Sequence, residues 1–342
     1  MIKKFAAPLA ALLAAGLVLS GCSASNDEPE GPATGGSLDE LVAAAQDEGF
    51  VTFYLTQPES VGQALADAFA DEYGIEASFV RLTGGELSTR YSAEAESGTV
   101  VADVVMPSYE SFVDSAMDEG WLLPVDESDI PDYDSYPEEG KIDGGRVAIT
   151  TFTPSGLSWN TDALGDIPAP ESFEDLADPV YAGKVLLTDP STSQSYLDFW
   201  TLMLDSYGED TVRAIVDNSV RYFPSVVPMT ESLAAGEGAV TGPNVGVVVQ
   251  GAIANGAPLD FGFPDVTTGP EIVIAVSADA PSPNAARLFA HFVLSEAGQA
   301  IVAGAPGSIS PYDADQLPAG YERVDRAAAL ENEQLIYDIF GL

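Results

Sequence analysis

Apolar residues recur along this chain in two alternating rhythms, and the switches between them mark out the elements. Ser37 and Glu40 have the spacing of a capping box. They open a helix with Leu38, Leu41, Val42 and Ala45 on one face, which Gly49 stops. A strand is predicted over 50–55, then a helix after Pro58 carrying Val61, Leu65, Ala68 and Phe69 and closed by Gly74. The same alternation gives a strand over 75–81, a helix over 85–96, a strand over 103–106, and a helix with Phe112, Val113, Ala116 and Met117 before Gly120. Strand-to-helix units in close succession predict a parallel sheet covered on both faces. A Pro-, Asp- and Gly-rich stretch over 124–145 ends this first unit.

The pattern resumes with a strand over 146–160, and a second α/β unit follows. It holds a strand over 184–188, helices over 194–207, 211–218, 229–235 and 245–254, and a strand over 259–263. A strand over 271–276 returns to the first unit, and a long amphipathic helix covers 284–303. The chain is expected to cross between the lobes near 148–153 and 264–270, leaving a cleft at the carboxyl ends of the strands.

Charge narrows what that cleft serves. Acidic residues number 54 against 12 basic, a formal net charge of −42, so no basic surface is available to neutralise a phosphate backbone, and nucleic acid is excluded as a partner. One cysteine and one histidine exclude a disulfide framework and zinc or iron–sulfur sites built on Cys and His. Carboxylate and tyrosine metal sites stay open.

The single cysteine has its own context. Lys3 and Lys4 precede an apolar run over 5–19 that ends in Leu19-Ser20-Gly21-Cys22, the pattern of a secretory signal over 1–21. The residues before Cys22 resemble the lipobox of bacterial lipoproteins, so Cys22 is expected to carry acyl chains that fix the mature chain to a membrane. After Cys22, residues 23–36 are Ser, Gly, Pro, Asp, Glu, Asn and Thr with two alanines and no larger apolar residue, and 22–36 read as a flexible tether. Removing the signal removes two lysines and no acid, which deepens the negative charge.

Candidate ligand contacts lie in the loops from strand ends to helix starts, where unpaired N–H groups and the helix dipole favour anionic or polar groups. They supply Thr56 and Gln57; Thr83, Gly84 and Gly85; Ser108; Thr153 and Ser155; Ser191 and Ser193; and Asn244. Thr83 and Glu86 also have capping-box spacing, and Gly84-Gly85 suits either close approach to a ligand or a tight turn. Arg81, two residues before Thr83, is placed to neutralise a ligand anion or to pair with acidic neighbours. Tyr109, Phe152 and Tyr196 would line the cleft or join the core. His291, among Phe289, Phe292, Val293 and Leu294, reads as structural. There is no GxxxxGK[ST] loop, GxSxG elbow or GxGxxG, so no cofactor and no enzyme activity are expected.

Several segments together resemble the extracellular solute-binding proteins of bacterial ABC importers, in the branch similar to ferric-iron-binding and 2-aminoethylphosphonate-binding proteins. They are Val51-Thr52-Phe53-Tyr54 with Gln57, Gly84-Gly85-Glu86-Leu87, Ala102-Asp103-Val104 and Glu119-Gly120-Trp121-Leu122. The most specific are the block over 153–161 and the block over 173–184. The resemblance covers about residues 38–310. It implies a two-lobed type II periplasmic-binding-protein fold, each lobe a mixed, mainly parallel sheet flanked by helices. It also implies closure on a small solute and delivery to a membrane permease. Iron binders of the branch use a histidine after the first strand's Gln, a carboxylate after the Ala-Asp-Val strand and a tyrosine pair in the second lobe. Those positions hold Pro58, Ser108 and about Val245-Gly246 here, so no metal site is expected. The hydroxyl-rich loops suit a small organic anion or zwitterion such as a phosphonate. The alternatives are Fe(III) or its chelate in a non-standard site, a polyamine suited to the acidic surface, and a secreted enzyme on the same scaffold. Lobe 1 is expected to comprise 37–150 plus 268–342 and lobe 2 to comprise 151–267, in an exported, lipid-anchored monomer.

Overall fold

A computed structural model describes residues 37–324 and 326–342. The expected signal, the Cys22 anchor and the tether over 22–36 lie outside these residues.

The first lobe opens with α1 (Leu38–Glu48), β1 (Phe50–Leu55), α2 (Glu59–Tyr73), β2 (Glu76–Arg81), α3 (Gly84–Glu96), β3 (Val104–Met106), α4 (Ser111–Asp118) and β4 (Leu122–Leu123). It continues with β5 (Lys141–Ile142) and β6 (Val147–Phe152). The second lobe holds β7 (Ser155–Asn160), α5 (Thr161–Leu164), β8 (Val185–Thr188), α6 (Gln194–Tyr207), α7 (Glu209–Asp217) and β9 (Ser219–Phe223). Then come α8 (Val226–Ala234), β10 (Val240–Val245), α9 (Gly246–Ala254) and β11 (Leu259–Gly262). The chain returns through β12 (Glu271–Ser277), α10 (Pro283–Leu294) and α11 (Glu296–Val302), and ends in α12 (Arg326–Phe340).

Among the described residues the first lobe has a seven-stranded sheet, ordered β2-β1-β3-β12-β6-β5 with β4 beside β12. β1 is parallel to β2 and β3, as successive strand-helix units require. β12 arrives from the other lobe and so runs antiparallel to β3, β4 and β6. The alternation of β1 sends Val51, Phe53 and Leu55 into a core under α2 and α10, where Phe53 stacks on Phe289 at 4.5 Å. Tyr54 faces the opposite core with Leu87, Tyr91 and Val113. Asp103 ties the layers together: its carboxylate accepts from the Thr52 N–H at 2.7 Å and the Ser282 N–H at 2.6 Å.

The second sheet is ordered β11-β7-β10-β8-β9. Its core centres on Trp200, which meets Phe199 and Phe340 edge-on. Phe340 belongs to α12, and Ala329, Ile336 and Ile339 of the same helix are buried in this core. The expected assignment of all of 268–342 to lobe 1 is therefore corrected: the last helix covers lobe 2, because its apolar stripe matches the face left open by α6. Three further expectations change. The strand over 146–160 is two strands in different sheets, parted at Thr153-Pro154. The helix over 284–303 is two helices, parted at Ser295, whose hydroxyl accepts from the Gly298 N–H and caps α11. Residues 241–244, expected as a loop, are the body of β10.

Crossing segments hold the lobes in register. The Thr153 N–H donates to Pro270 O at 2.9 Å, and the Ser155 N–H to Thr268 O at 2.8 Å. A third pass, leading to α12, joins them: the Thr267 N–H donates to Gly320 O and the Glu322 N–H to Thr267 O, both at 2.8 Å. Gly269 and Gly320 let these backbones approach, since a Cβ at Gly269 would run into the Thr153 carbonyl and one at Gly320 into the Asp265 carbonyl.

Candidate ligand-binding cleft

Strand ends and helix starts of both lobes converge on a cleft of about 780 Å³. From lobe 1 come Thr56 after β1, Arg81 at the end of β2, Thr83, Gly84 and Gly85 at the start of α3, and Ser108 and Glu110 before α4. From lobe 2 come Ser191 and Ser193 before α6 and Ser225 before α8, with Leu330, Glu333 and Tyr337 of α12 on one rim. A second hollow of about 490 Å³ shares Thr56, Arg81, Thr83, Ser108 and Ser193, and adds Gln57, Thr153 and Ser155.

Each polar residue also has a local role. Thr83 forms a complete capping box with Glu86, the Glu86 N–H donating to Thr83 Oγ1 at 3.4 Å and the Thr83 N–H to Glu86 Oε2 at 2.9 Å. Those bonds hold the Glu86 carboxyl below the usual carboxylate range. Gln57 is buried and donates to Val302 O at 3.3 Å. Ser191 Oγ and its N–H both donate to the Asp189 carboxylate, at 2.6 and 2.9 Å. Asn244 departs from its expected place. It is fully buried under β7, donating to Ser158 Oγ at 2.8 Å and Thr230 Oγ1 at 3.0 Å, and lines neither hollow, because β10 continues through it.

Arg81 differs from three other arginines of the chain. Arg90, Arg146 and Arg221 pair with Glu94, Asp118 and Glu237. Arg81 lines both hollows and, among the described residues, makes no hydrogen bond or ion pair. The N-termini of α3, α6 and α8 open on the same space, adding partial positive charge from three directions.

Glu110 was not singled out from the sequence. Its carboxylate reaches across the cleft to the start of α6, accepting from Ser193 Oγ at 2.9 Å and Ser195 Oγ at 3.4 Å. The neighbouring Ser111 N–H and hydroxyl donate to Gln194 Oε1 at 2.9 and 2.7 Å, so this corner carries contacts between the lobes. Burial pushes the Glu110 carboxyl up, while the serine hydroxyls pull it down. A carboxylate seated at the α6 N-terminus shows that this corner accepts an anion. The sequence carried no signal for it: Glu110 precedes α4 without capping it, and glutamate is not a favoured N-cap.

The other aromatic and titratable candidates fall elsewhere. Tyr196 lines the cleft, its hydroxyl accepting from the Val226 N–H at 3.3 Å and its pKa pushed up to about 12 by burial. Phe152 is core. Tyr109 lies behind the cleft in a cavity of about 140 Å³, stacked under the Arg326 guanidinium at 3.3 Å. Asp198 lines that cavity with Oδ1 unpartnered, and burial pushes its pKa up to about 7. His291 is remote from the cleft, with Nδ1 2.9 Å from Pro131 O. Pro58, Ser108 and Val245, the positions compared above with those of iron binders, all line the 490 Å³ hollow. Among the described residues no three His, Cys, Asp or Glu come together as a metal site, and no helix is long and apolar enough to cross a membrane.

Two α/β lobes, chain crossings between them and a cleft at their strand ends define a two-lobed periplasmic binding protein. The chain belongs to the bacterial extracellular solute-binding proteins, whose family profile matches residues 54–300. An uncharacterized protein of Haemophilus influenzae is 26% identical over 300 residues, covering 84% of this chain and 79% of its own. The phosphoglycerate transport regulatory protein PgtC of Salmonella typhimurium is 24% identical over 258 residues, 70% of this chain. That match spans 63% of PgtC, less than two thirds of its length. Among solved structures, AfuA of Actinobacillus pleuropneumoniae with fructose-6-phosphate bound matches with a TM-score of 0.70 at 21% identity, covering 86% of this chain and 99% of that one. Iron-bound HitA of Pseudomonas aeruginosa matches with a TM-score of 0.69 at 20% identity and the same coverage. The fold is thus that of the ferric-binding branch and of its phosphate-sugar-binding neighbours. Membership carries a small-molecule ligand, an ABC permease as partner and a place on the outer side of the cell membrane; family and fold are those of transport proteins rather than enzymes.

Proposed function

We propose that this chain captures a small organic anion or zwitterion, such as a phosphonate or phosphate ester, between its lobes and hands it to the permease. The observation that carries this reading is Arg81: in a chain with 54 acids against 12 bases, one cation stands in the cleft without a hydrogen bond or ion pair. A cation left so among acidic surroundings favours a ligand that brings its own negative charge. The N-terminus of α8, which has no side-chain cap, supports the same choice, and so do the phosphorylated compounds in the names of PgtC and of the AfuA complex. Glu110, in the same cleft and already holding Ser193 Oγ, offers a carboxylate to an ammonium group, which favours a zwitterion such as 2-aminoethylphosphonate over a simple dianion. Fe(III) wants several hard anionic oxygens, and Pro58, Ser108 and Val245 offer none.

Thr56, Thr83, Gly84, Gly85, Ser108, Ser191 and Ser193 are proposed as contacts around the head of the ligand, with Gln57, Thr153 and Ser155 at its back. Thermal shift of the mature chain tests the ligand class, with 2-aminoethylphosphonate, glycerol phosphate, spermidine and Fe(III)-citrate side by side. A ligand at about a hundred times its Kd adds roughly 2.7 kcal/mol, a shift of a few degrees. Stabilisation by a phosphonate or phosphate ester is expected; stabilisation by spermidine or iron alone would contradict the reading. Anchorage through Cys22 and action as a monomer complete the proposal, and Cys22→Ser is expected to move the protein from the membrane fraction to the medium.

A further inference from the structure

Half of the cleft does not match a purely polar ligand. Beyond Arg81 the 490 Å³ hollow is walled on the lobe 2 side by Val226, Val227 and Pro228 at the start of α8 and by Val247 and Val248 at the start of α9. Facing them from lobe 1 are Val302 of α11 and Ala305 beyond it. Valine is a poor helix former, and the first turn of a helix ordinarily offers polar caps, so intrinsic preference does not explain two Val-Val pairs at helix starts. Core packing accounts for Val226, which lies against the cluster around Met229 and Leu233, but not for the other three. Val227 is 46% exposed and Val226, Val247 and Val248 are only partly buried, whereas Met229 and Val249 carry the inward faces of the same helices.

From this wall we infer that the ligand is amphipathic, an anionic head joined to a compact apolar body such as an aryl or branched alkyl group. The inference rests on the reading of Arg81 above and deepens it. The polar and apolar hollows share Thr56, Arg81, Thr83, Ser108 and Ser193, so one molecule with its head at Arg81 extends its body along the valines without leaving the cleft. Volumes of 780 and 490 Å³ are those of small-molecule sites, too small for a folded partner. Covering the valines with apolar atoms removes their surface from water, and each seated methylene is expected to tighten binding roughly fourfold.

Calorimetric titration of the mature chain with methylphosphonate and benzylphosphonate, which share a head, tests the assignment. Benzylphosphonate is expected to bind at least about tenfold more tightly, with a more negative heat-capacity change. Val227→Asn and Val247→Asn, checked for unchanged melting, are expected to remove that preference and leave methylphosphonate binding as it was. Binding of methylphosphonate that depends on Arg81 but gains nothing from the benzyl group would overturn the amphipathic assignment and leave the anion reading standing. So would a benzyl preference that persists in both valine variants. Binding of neither compound would overturn both.

Discussion

Asn244 and Arg81 show how far a residue can be read from sequence. Both are polar residues near strand ends, and nothing in their neighbours separates them, yet one is buried in a hydrogen-bonded trio with Ser158 and Thr230 and the other faces the cleft. The difference is made by β10 running through the whole of 241–244, a pairing decision taken across the sheet rather than along the chain. Asn244→Ala is therefore expected to cost about 1–3 kcal/mol in denaturant unfolding while ligand affinity stays unchanged, since two buried hydroxyls lose their partner. Buried carboxylates give a second residue-scale outcome. Burial pushes Asp103 up to about 6 and Asp198 up to about 7, so between the ordinary carboxylate range and pH 7 the folded chain holds protons that the unfolded chain has released. Stability is then greatest at the acid end of that window and falls as pH rises through it. Asp198→Asn is expected to flatten the fall and to stabilise the protein at pH 7.5 by about 1–3 kcal/mol, as read from melting across pH 4.5 to 8.

At the scale of elements, helices with one-sided apolar stripes and clear stops were legible. α1 with its Ser37–Glu40 box and Gly49, and α2 closed by Gly74, lie where capping and periodicity put them. The break after α10 was not: Ser295 ends the helix by turning its hydroxyl to Phe292 O, a local bond that competes with an otherwise continuous helical pattern. β9 and α12 also escaped, because each gains its place only by packing on lobe 2. β9 is an edge strand that pairs only with β8 and exposes Val220 and Arg221, and the apolar residues of α12 are interrupted by Glu331, Glu333 and Asp338. The cleft was legible as a set of hydroxylated loops, while its valine wall was hidden because α9 is apolar all round, which reads equally as core. Since Ile336 of α12 is fully buried against the lobe 2 core, Ile336→Ala is expected to cost about 2–5 kcal/mol. A loss below about 0.5 kcal/mol in denaturant unfolding would mean that α12 is not docked there.

Across the whole molecule, charge sets the behaviour. With a formal net charge of −42, self-repulsion opposes the compact state and long-range repulsion opposes the approach of an anionic ligand. Raising salt from about 10 mM to 150 mM shortens the Debye length from about 30 Å to about 8 Å, so both the melting temperature and the association rate of an anionic ligand are expected to rise. A binding rate that falls with salt would point to a cationic ligand. The lobes meet through crossing segments bonded to one another and through the Glu110 and Ser111 contacts to α6. Calorimetric titration of the mature chain and its Arg81→Ala variant with 2-aminoethylphosphonate tests the central claim most directly. Loss of binding by at least about tenfold with unchanged melting of the ligand-free protein is predicted; equal affinity in the two proteins would contradict the assignment of Arg81 and of the anion it awaits.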